Sequence, residues 1–203
     1  MTLSKQMKER IEEAQGGTIF INSDFIDIAN AETIRRNLNR FVQAGIIRRI
    51  LNGIYEKPKY STLLEENVAV NPDAVAKALA RNYHWTIAPS GNTALNLLGL
   101  STQVPAVWSY ISDGPYREYE LNSTKIVFKR RTNRDVTGLS YMTVLVIQSL
   151  KTIGKEGVNK EIITQLSNRL SAVEKSAMLR EAKESTDWIY GTIKKICGEI
   201  DHD

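Results

Sequence analysis

The feature that most constrains this chain is the segment of residues 35–58, RRNLNRFVQAGIIRRILNGIYEKP, which combines positive charge with core-forming side chains. Five arginines fall within the fifteen positions from Arg35 to Arg49. Isoleucine, leucine, valine and aromatic residues recur between them at the spacing of a packed element. An element that packs on one side and meets a polyanion on the other would explain both properties.

Positive charge is concentrated in this part of the chain. Residues 31–59 hold seven basic and two acidic residues, a local net charge of +5, although the whole chain carries only +4. Charge gathered into a patch indicates a polyanionic or acidic partner. The 42% hydrophobic and 25% charged content of the 203 residues is otherwise that of an ordinary globular protein.

A helix is predicted between Asn30 and Gly45. Asn30 is a favoured N-cap residue, and Gly45 can end a helix in the left-handed conformation. An apolar stripe at helical spacing consists of Ile34, Leu38, Phe41 and Val42. At about 100° per residue, the opposite face is polar and consists of Glu32, Arg36, Asn39, Arg40 and Gln43. One face would therefore pack, and the other would remain free to meet a partner.

Two strands are predicted after this helix, over residues 46–51 and 54–57, joined by Asn52-Gly53, the strongest short hairpin signal. Upstream, the pattern predicts a helix over residues 3–14 and a strand over residues 18–21, followed by a short helix. This order of elements is typical of a winged helix-turn-helix, whose recognition helix enters the major groove of DNA.

The polar helix face carries side chains suited to reading bases. Arginine pairs bidentately with guanine and asparagine with adenine, so Arg36, Asn39 and Arg40 are candidate base contacts. A solvated helix face is the alternative explanation for such exposed charge. The adjoining glycine and basic hairpin favour DNA.

The predicted hairpin adds further candidates. Simple pairing across its turn would set Arg49 opposite Glu56 and Arg48 opposite Lys57. Arg49 would then have an ion pair, whereas Arg48 would face a like charge, which makes Arg48 the better phosphate contact. The complete set of predicted DNA-binding residues is Thr33, Arg35, Arg36, Asn39, Arg40, Arg48, Arg49 and Asn52.

The rest of the chain predicts a second domain. Residues 59–70 have weak periodicity and indicate a linker, so the expected domains are a winged helix-turn-helix over residues 1–60 and a mixed α/β domain over residues 70–203. The predicted fold class is α+β. It combines an N-terminal winged helix-turn-helix with a domain that has a small antiparallel sheet and a helical C-terminal part.

Three strands of that second domain are predicted around a turn signal. Residues 107–112 and 116–121 are expected to form a hairpin around Asp113-Gly114, with residues 125–128 as a third strand. A second basic run, residues 125–135, has a local net charge of +4 and contains Lys125, Lys129, Arg130, Arg131 and Arg134. Three interpretations of this run remain open: a second phosphate-binding surface, a protein-docking surface, or a strand edge whose charge discourages pairing.

Residues for catalytic or metal chemistry are sparse. Only two histidines, His84 and His202, and one cysteine, Cys197, occur, and the sequence has no glycine-rich phosphate-binding motif. We therefore expect no enzymatic activity, no metal site and no cofactor. The lone cysteine, the charged start and the lack of a long apolar run lead us to expect a cytoplasmic protein without a membrane partner.

Three segments resemble the AbiEi-like antitoxins of type IV toxin-antitoxin (abortive infection) systems, and more closely a related bacterial family of otherwise uncharacterised function. They are AGIIRRILNGIYEKP, WTIAPSGNTALNLLGLSTQVP and YELNSTKIVFKRRTNRD. The resemblance covers residues 5–195. It implies an N-terminal winged helix that represses its own operon and a C-terminal domain that counters a nucleotidyltransferase-like toxin encoded next to it.

The resemblance also implies roles for single residues. By that likeness Arg36, Asn39 and Arg40 occupy recognition-helix positions. The wing would hold Arg48, Arg49 and Asn52, and the family's wing arginine, glycine and tyrosine match Arg49, Gly53 and Tyr55. No motif assigns residues to toxin neutralisation.

The leading hypothesis is therefore a DNA-binding antitoxin and transcriptional autorepressor, with double-stranded operator DNA and a cognate toxin as partners. One alternative is a plain winged-helix regulator whose second domain dimerises or senses a ligand. Another is a nucleic-acid-processing enzyme that uses its winged helix only for docking, and the scarcity of clustered carboxylates, histidines and cysteines argues against it.

Overall fold

Helices and short strands alternate along the chain in the computed structural model, which describes residues 2–63, 65–121, 124–130 and 138–199. They form two compact units, Met1–Trp85 and Thr86–Asp203. Each unit combines helices with a small sheet, so the predicted α+β class is confirmed.

The first unit contains three helices and two small sheets among its described residues. In chain order its elements are α1 (Leu3–Glu13), β1 (Ile19–Ile21), a 3-10 turn (Asn22–Phe25), α2 (Ala31–Gln43), β2 (Arg48–Leu51), β3 (Ile54–Glu56), β4 (Tyr60–Ser61), β5 (Glu66–Asn67) and α3 (Pro72–Tyr83). One antiparallel sheet has the order β1-β3-β2, and β4 pairs with β5. The buried core between helices and sheet consists of Met7, Ile11, Phe20, Phe25, Ile34, Leu38, Phe41, Ile47 and Tyr55.

Helix α2 follows the predicted pattern. The side chain of Asn30 accepts a hydrogen bond from the backbone N–H of Thr33 at 2.9 Å, which satisfies a free donor of the first turn. Gly45 follows the helix with φ +71°, a conformation that favours glycine. Ile34 and Leu38 are fully buried, and each such side chain contributes about 1.5–3 kcal/mol of burial energy. The apolar stripe therefore fixes which face of α2 points outward.

The hairpin register differs from the predicted one by one residue. Arg49 lies opposite Tyr55 and Leu51 lies opposite Ile54, so Ile50 is an extra residue on β2. Such a bulge shifts every pairing beyond it. The expected pairings of Arg48 with Lys57 and of Arg49 with Glu56 are therefore wrong, and Arg48 lies opposite Glu56 instead.

Helix α3 belongs to the first unit, whereas the sequence placed it at the start of the second domain. Its side chain Arg81 contributes hydrogen bonds to this attachment. The Nη2 group of Arg81 donates to the carbonyl oxygen of Ile19 at 3.2 Å and to a carboxylate oxygen of Asp24 at 3.3 Å. Sequence periodicity could not show these contacts, because the partners lie far away along the chain.

We expect a fragment of residues 1–62 to be less stable than a fragment of residues 1–85. The shorter fragment lacks Arg81, which donates to Ile19 and Asp24. It also lacks the carbonyl oxygen of Val68, which accepts from Arg48 at 2.9 Å. The loss of these hydrogen bonds from charged groups should lower the free energy of unfolding by about 2–3 kcal/mol. Urea titrations followed by far-ultraviolet circular dichroism measure the difference. Equal unfolding free energies would instead support a domain boundary near residue 60.

The second unit begins with a four-stranded sheet and ends with helices. Its elements are β6 (Ile87–Pro89), α4 (Asn92–Leu97), β7 (Val107–Ser112), β8 (Arg117–Leu121), β9 (Thr124–Arg130), α5 (Tyr141–Ile153), α6 (Lys160–Arg169), α7 (Ala172–Glu181) and α8 (Asp187–Cys197). The strand order is β6-β7-β9-β8, with β7 and β9 parallel and the other neighbours antiparallel.

The expected hairpin between residues 107–112 and 116–121 is wrong, since β9 lies between the two strands. Its residues Ile126, Val127 and Phe128 are all at most 5% exposed. Successive apolar residues suit a strand that is covered on both faces and paired on both sides. The local sequence pattern correctly located the strands, but it carried no information about which ones pair.

A helical core completes the second unit. Eight successive residues of α5, 143–150, are buried, and α4, α6, α7 and α8 contribute further apolar side chains to the same core. The N-terminus of α5 is tied to α7, because the Glu181 carboxylate accepts from the Ser140 hydroxyl at 2.8 Å and from its backbone N–H at 2.9 Å. The predicted helical C-terminal part is therefore confirmed in the described residues.

Candidate nucleic-acid interface

Several basic side chains of the first unit form hydrogen bonds that stabilise the fold. Arg10 donates to both carboxylate oxygens of Asp27, at 2.8 and 2.6 Å, and this hydrogen bonding lowers the pKa of the Asp27 carboxyl. The Nζ group of Lys57 donates to the backbone carbonyls of Glu12 and Ala14, at 2.6 and 2.7 Å. These carbonyls lie at the C-terminal end of α1, where a cation complements the helix dipole. Lys57 is therefore a structural residue.

The outward face of α2 is different. Arg36, Asn39 and Arg40 are exposed, and Arg35 is exposed on the flank of the same helix. Within the described part of the chain, none of the three arginines forms an ion pair. Uncompensated guanidinium groups on one face produce a positive potential there. The expected polar face is thus present with its charge available to an anion.

Arg49 connects the hairpin to this face. It is exposed, its Nη2 group donates a hydrogen bond to Oδ1 of Asn39, and its guanidinium lies 5.5 Å from the centroid of the Tyr55 ring. The ring itself is only 3% exposed, so it forms a fixed base under the arginine. Stacking of this kind orients the guanidinium plane. The structure thereby brings Asn39 and Arg49 together, which the sequence alone did not predict.

Arg48 is bonded to groups of its own unit. Its Nε group donates to the Glu56 carboxylate, and its Nη2 group donates to the carbonyl oxygen of Val68 at 2.9 Å. The Glu56 side chain is 2% exposed, so its charge requires a partner inside the unit. The like-charge argument that assigned Arg48 to phosphate rested on the wrong register and no longer applies.

The two remaining first-unit candidates lie at the ends of elements. Thr33 is half-buried in the first turn of α2, where its N–H is bonded to Asn30 and its carbonyl oxygen accepts from Nδ2 of Asn37 at 3.0 Å. Asn52 is exposed in the hairpin turn, next to Gly53 with φ +75°. Asn52 is therefore accessible to a ligand, whereas the backbone groups of Thr33 form hydrogen bonds in the first turn of α2.

The second basic run is only partly described. Lys125 is bonded to Glu118 at 2.9 Å, and hydrogen bonds from Tyr116 and Lys125 lower the pKa of the Glu118 carboxyl. Lys129 and Arg130 are exposed at the end of β9. At these two positions β9 pairs with β7 alone, because its pairing with β8 ends at Phe128, so the strand-edge interpretation stays open for them. The candidates Arg131 and Arg134 lie outside the described residues.

Tyr55 is the residue of this arrangement to which the sequence assigned no physical role. Its place opposite Arg49 follows from the bulge at Ile50, and a bulge leaves little trace in a short strand of mixed composition. In the described ranges there is no cluster of three histidine, cysteine or carboxylate side chains that could hold a metal ion. None of the helices described is long and apolar enough to cross a membrane.

Comparison with protein families finds one described as "Family of unknown function (DUF6088)", which matches residues 6–178 of the chain. The matched range includes the outward face of α2, the hairpin and the whole sheet of the second unit. None of the curated proteins matches the chain.

Proposed function

We propose that this protein, which belongs to the DUF6088 family of unknown function, binds double-stranded DNA through a winged helix-turn-helix formed by its first unit. In this proposal α2 is the recognition helix and the β2–β3 hairpin is the wing. The element order from α1 to β3 supports the assignment, because it is the order that winged helices use.

The exposed face of α2 is the observation that carries the proposal. It presents Arg36, Asn39 and Arg40 together, without an ion pair among the described residues. These side-chain types suit base edges in the major groove, whereas Arg35 on the flank suits a phosphate. Nearby cations such as Arg10 and Lys57 are bonded within the unit, so the availability of the α2 arginines is not a general property of its surface.

We further propose that the protein represses its own operon by binding DNA. We also propose that it is the antitoxin of a nucleotidyltransferase-like toxin. The resemblance of three segments to AbiEi-like antitoxins supports this step. A plain transcriptional regulator is the alternative, with a second unit that dimerises or senses a ligand. A growth assay separates the two. The product of the neighbouring gene is expressed from an unrelated promoter, so that repression cannot lower its amount. Only an antitoxin then restores growth.

Alanine substitutions of α2 test the DNA assignment. Asn39→Ala or Arg36→Ala should each relax the preference for one base pair and lower the affinity for the preferred duplex by about 1–3 kcal/mol. Arg35→Ala should weaken all duplexes alike and reduce the salt slope by about one, as the loss of a phosphate contact would. Fluorescence anisotropy with DNA from the protein's own promoter, measured at several salt concentrations, checks both expectations. Wild-type affinity in all three variants would refute the assignment.

A further inference from the structure

A chain of three side chains joins the outward face of α2 to the hairpin. Oδ1 of Asn39 accepts a hydrogen bond from Arg49, and Arg49 lies over the ring of Tyr55. Asn39 and Arg49 are exposed, whereas Tyr55 is 3% exposed. The position of an exposed amide is thus linked to a ring that is fixed in the core.

This linkage has a consequence for the Asn39 amide. A half-turn of its terminal torsion exchanges the oxygen and the nitrogen, and an unassisted amide on a helix surface can adopt either arrangement. A guanidinium group has hydrogen-bond donors and no acceptor, so Arg49 selects the arrangement in which Oδ1 faces the hairpin. Since Arg49 is itself oriented by Tyr55, the fold sets the direction of the amide before any ligand binds.

We propose that Arg49 is a positioning residue that holds Asn39 ready to read an adenine in the major groove, an inference that rests on the proposed function. Adenine presents an acceptor, N7, beside a donor, the N6 amino group. After its bond to Arg49, Asn39 retains a second lone pair on Oδ1 and both hydrogens on Nδ2. The reversed amide would set acceptor against acceptor and donor against donor.

This positioning role differs from the two other roles open to Arg49, an ion pair with Glu56 and a contact to a DNA phosphate. An ion pair with Glu56 is not formed, because Glu56 is bonded to Arg48. A phosphate contact would make Arg49 important for every DNA sequence equally, whereas a positioning residue affects only the base that Asn39 reads. The two roles therefore differ in what a substitution does to specificity.

A double-mutant cycle on the full-length protein tests the proposal. Selection from a randomised duplex library gives the preferred sequence, and anisotropy titrations then compare the four base pairs at each position. We expect Asn39→Ala to lose about tenfold preference for adenine at one position. Arg49→Ala should lose part of this preference at the same position, and the double variant should lose no more than Asn39→Ala alone, because Arg49 acts through Asn39.

Arg35→Ala is the matched control, since it removes the same charge from the same unit without touching Asn39. It should lower the salt slope by about one and leave the adenine preference intact. Arg49→Ala overturns the proposal if it keeps the adenine preference while flattening the salt dependence, or if its loss falls at another position and adds to that of Asn39→Ala. A wild-type protein that binds no duplex overturns the proposed function, and this inference with it. Circular dichroism melts confirm that each variant is folded.

Discussion

Replacing Arg48 with alanine should destabilise the first unit by about 3 kcal/mol, the lower end of the cost of leaving a buried charge unpaired, because Glu56 is buried whereas Arg48 is half-exposed. The Glu56 carboxylate is 2% exposed and bonded to Nε of Arg48. The substitution would leave that buried carboxylate without a cation, and it would also remove the donor to the carbonyl oxygen of Val68. Urea titration with hydrogen exchange of first-unit amides measures the loss in the full-length chain.

Two controls distinguish this cause from a general effect of losing an arginine. Arg49→Ala, one residue away, should cost only about 1 kcal/mol, because it removes an exposed stacking contact and no buried charge loses its partner. The double variant Arg48→Met with Glu56→Leu should regain most of the stability, since neither charge then remains in the core. Similar losses for Arg48→Ala and Arg49→Ala would contradict the assignment of Arg48 to the fold.

Reversing the charge of Arg36 and Arg40 together should lower the proposed DNA affinity by about a hundredfold or more. Two base or phosphate contacts, each worth about 1–3 kcal/mol, would be lost, and two carboxylates would repel the phosphates. Because both side chains are exposed and outside any described ion pair, the fold should be retained. Anisotropy titration with promoter DNA at fixed salt measures the affinity.

Lys155→Glu with Lys160→Glu is the matched control for this charge reversal. Both lysines are exposed in the second unit, so the pair changes the net charge by the same amount at a different place. Its affinity should stay within about twofold of wild type, because neither lysine belongs to the proposed recognition helix or wing. Equal losses in the two double variants would attribute DNA binding to net charge, and no loss in either would remove α2 from the interface.

The helices and most strands could be predicted from the sequence because their signals are local. The cap at Asn30, the stripe of Ile34, Leu38 and Phe41 and the glycine at 45 lie within one helix length, so they determine both the helix and its outward face. Arg36, Asn39 and Arg40 follow from the same projection. Their exposure in the structure agrees with it, since a residue's side of a helix depends only on its spacing from the buried ones.

What the sequence could not give were the contacts between elements. The run Ile126–Phe128 predicted a strand, yet only the folded sheet places β9 between β7 and β8. The hydrogen bond between α3 and β1 similarly joins Arg81 to Ile19, which lies 62 residues away. No periodicity encodes such partners, because they depend on how distant surfaces pack.

The candidate site shows the same division. The sequence by itself determined which residue types lie on the outward face of α2, and it located the basic hairpin beside it. Tertiary structure decided which arginine is available: one extra residue, Ile50, shifts the register, so Arg48 meets the buried Glu56 and Arg49 meets Tyr55 and Asn39. The physical reason is that a buried carboxylate strongly requires a cation, and only the three-dimensional pairing determines which cation is near enough to supply it.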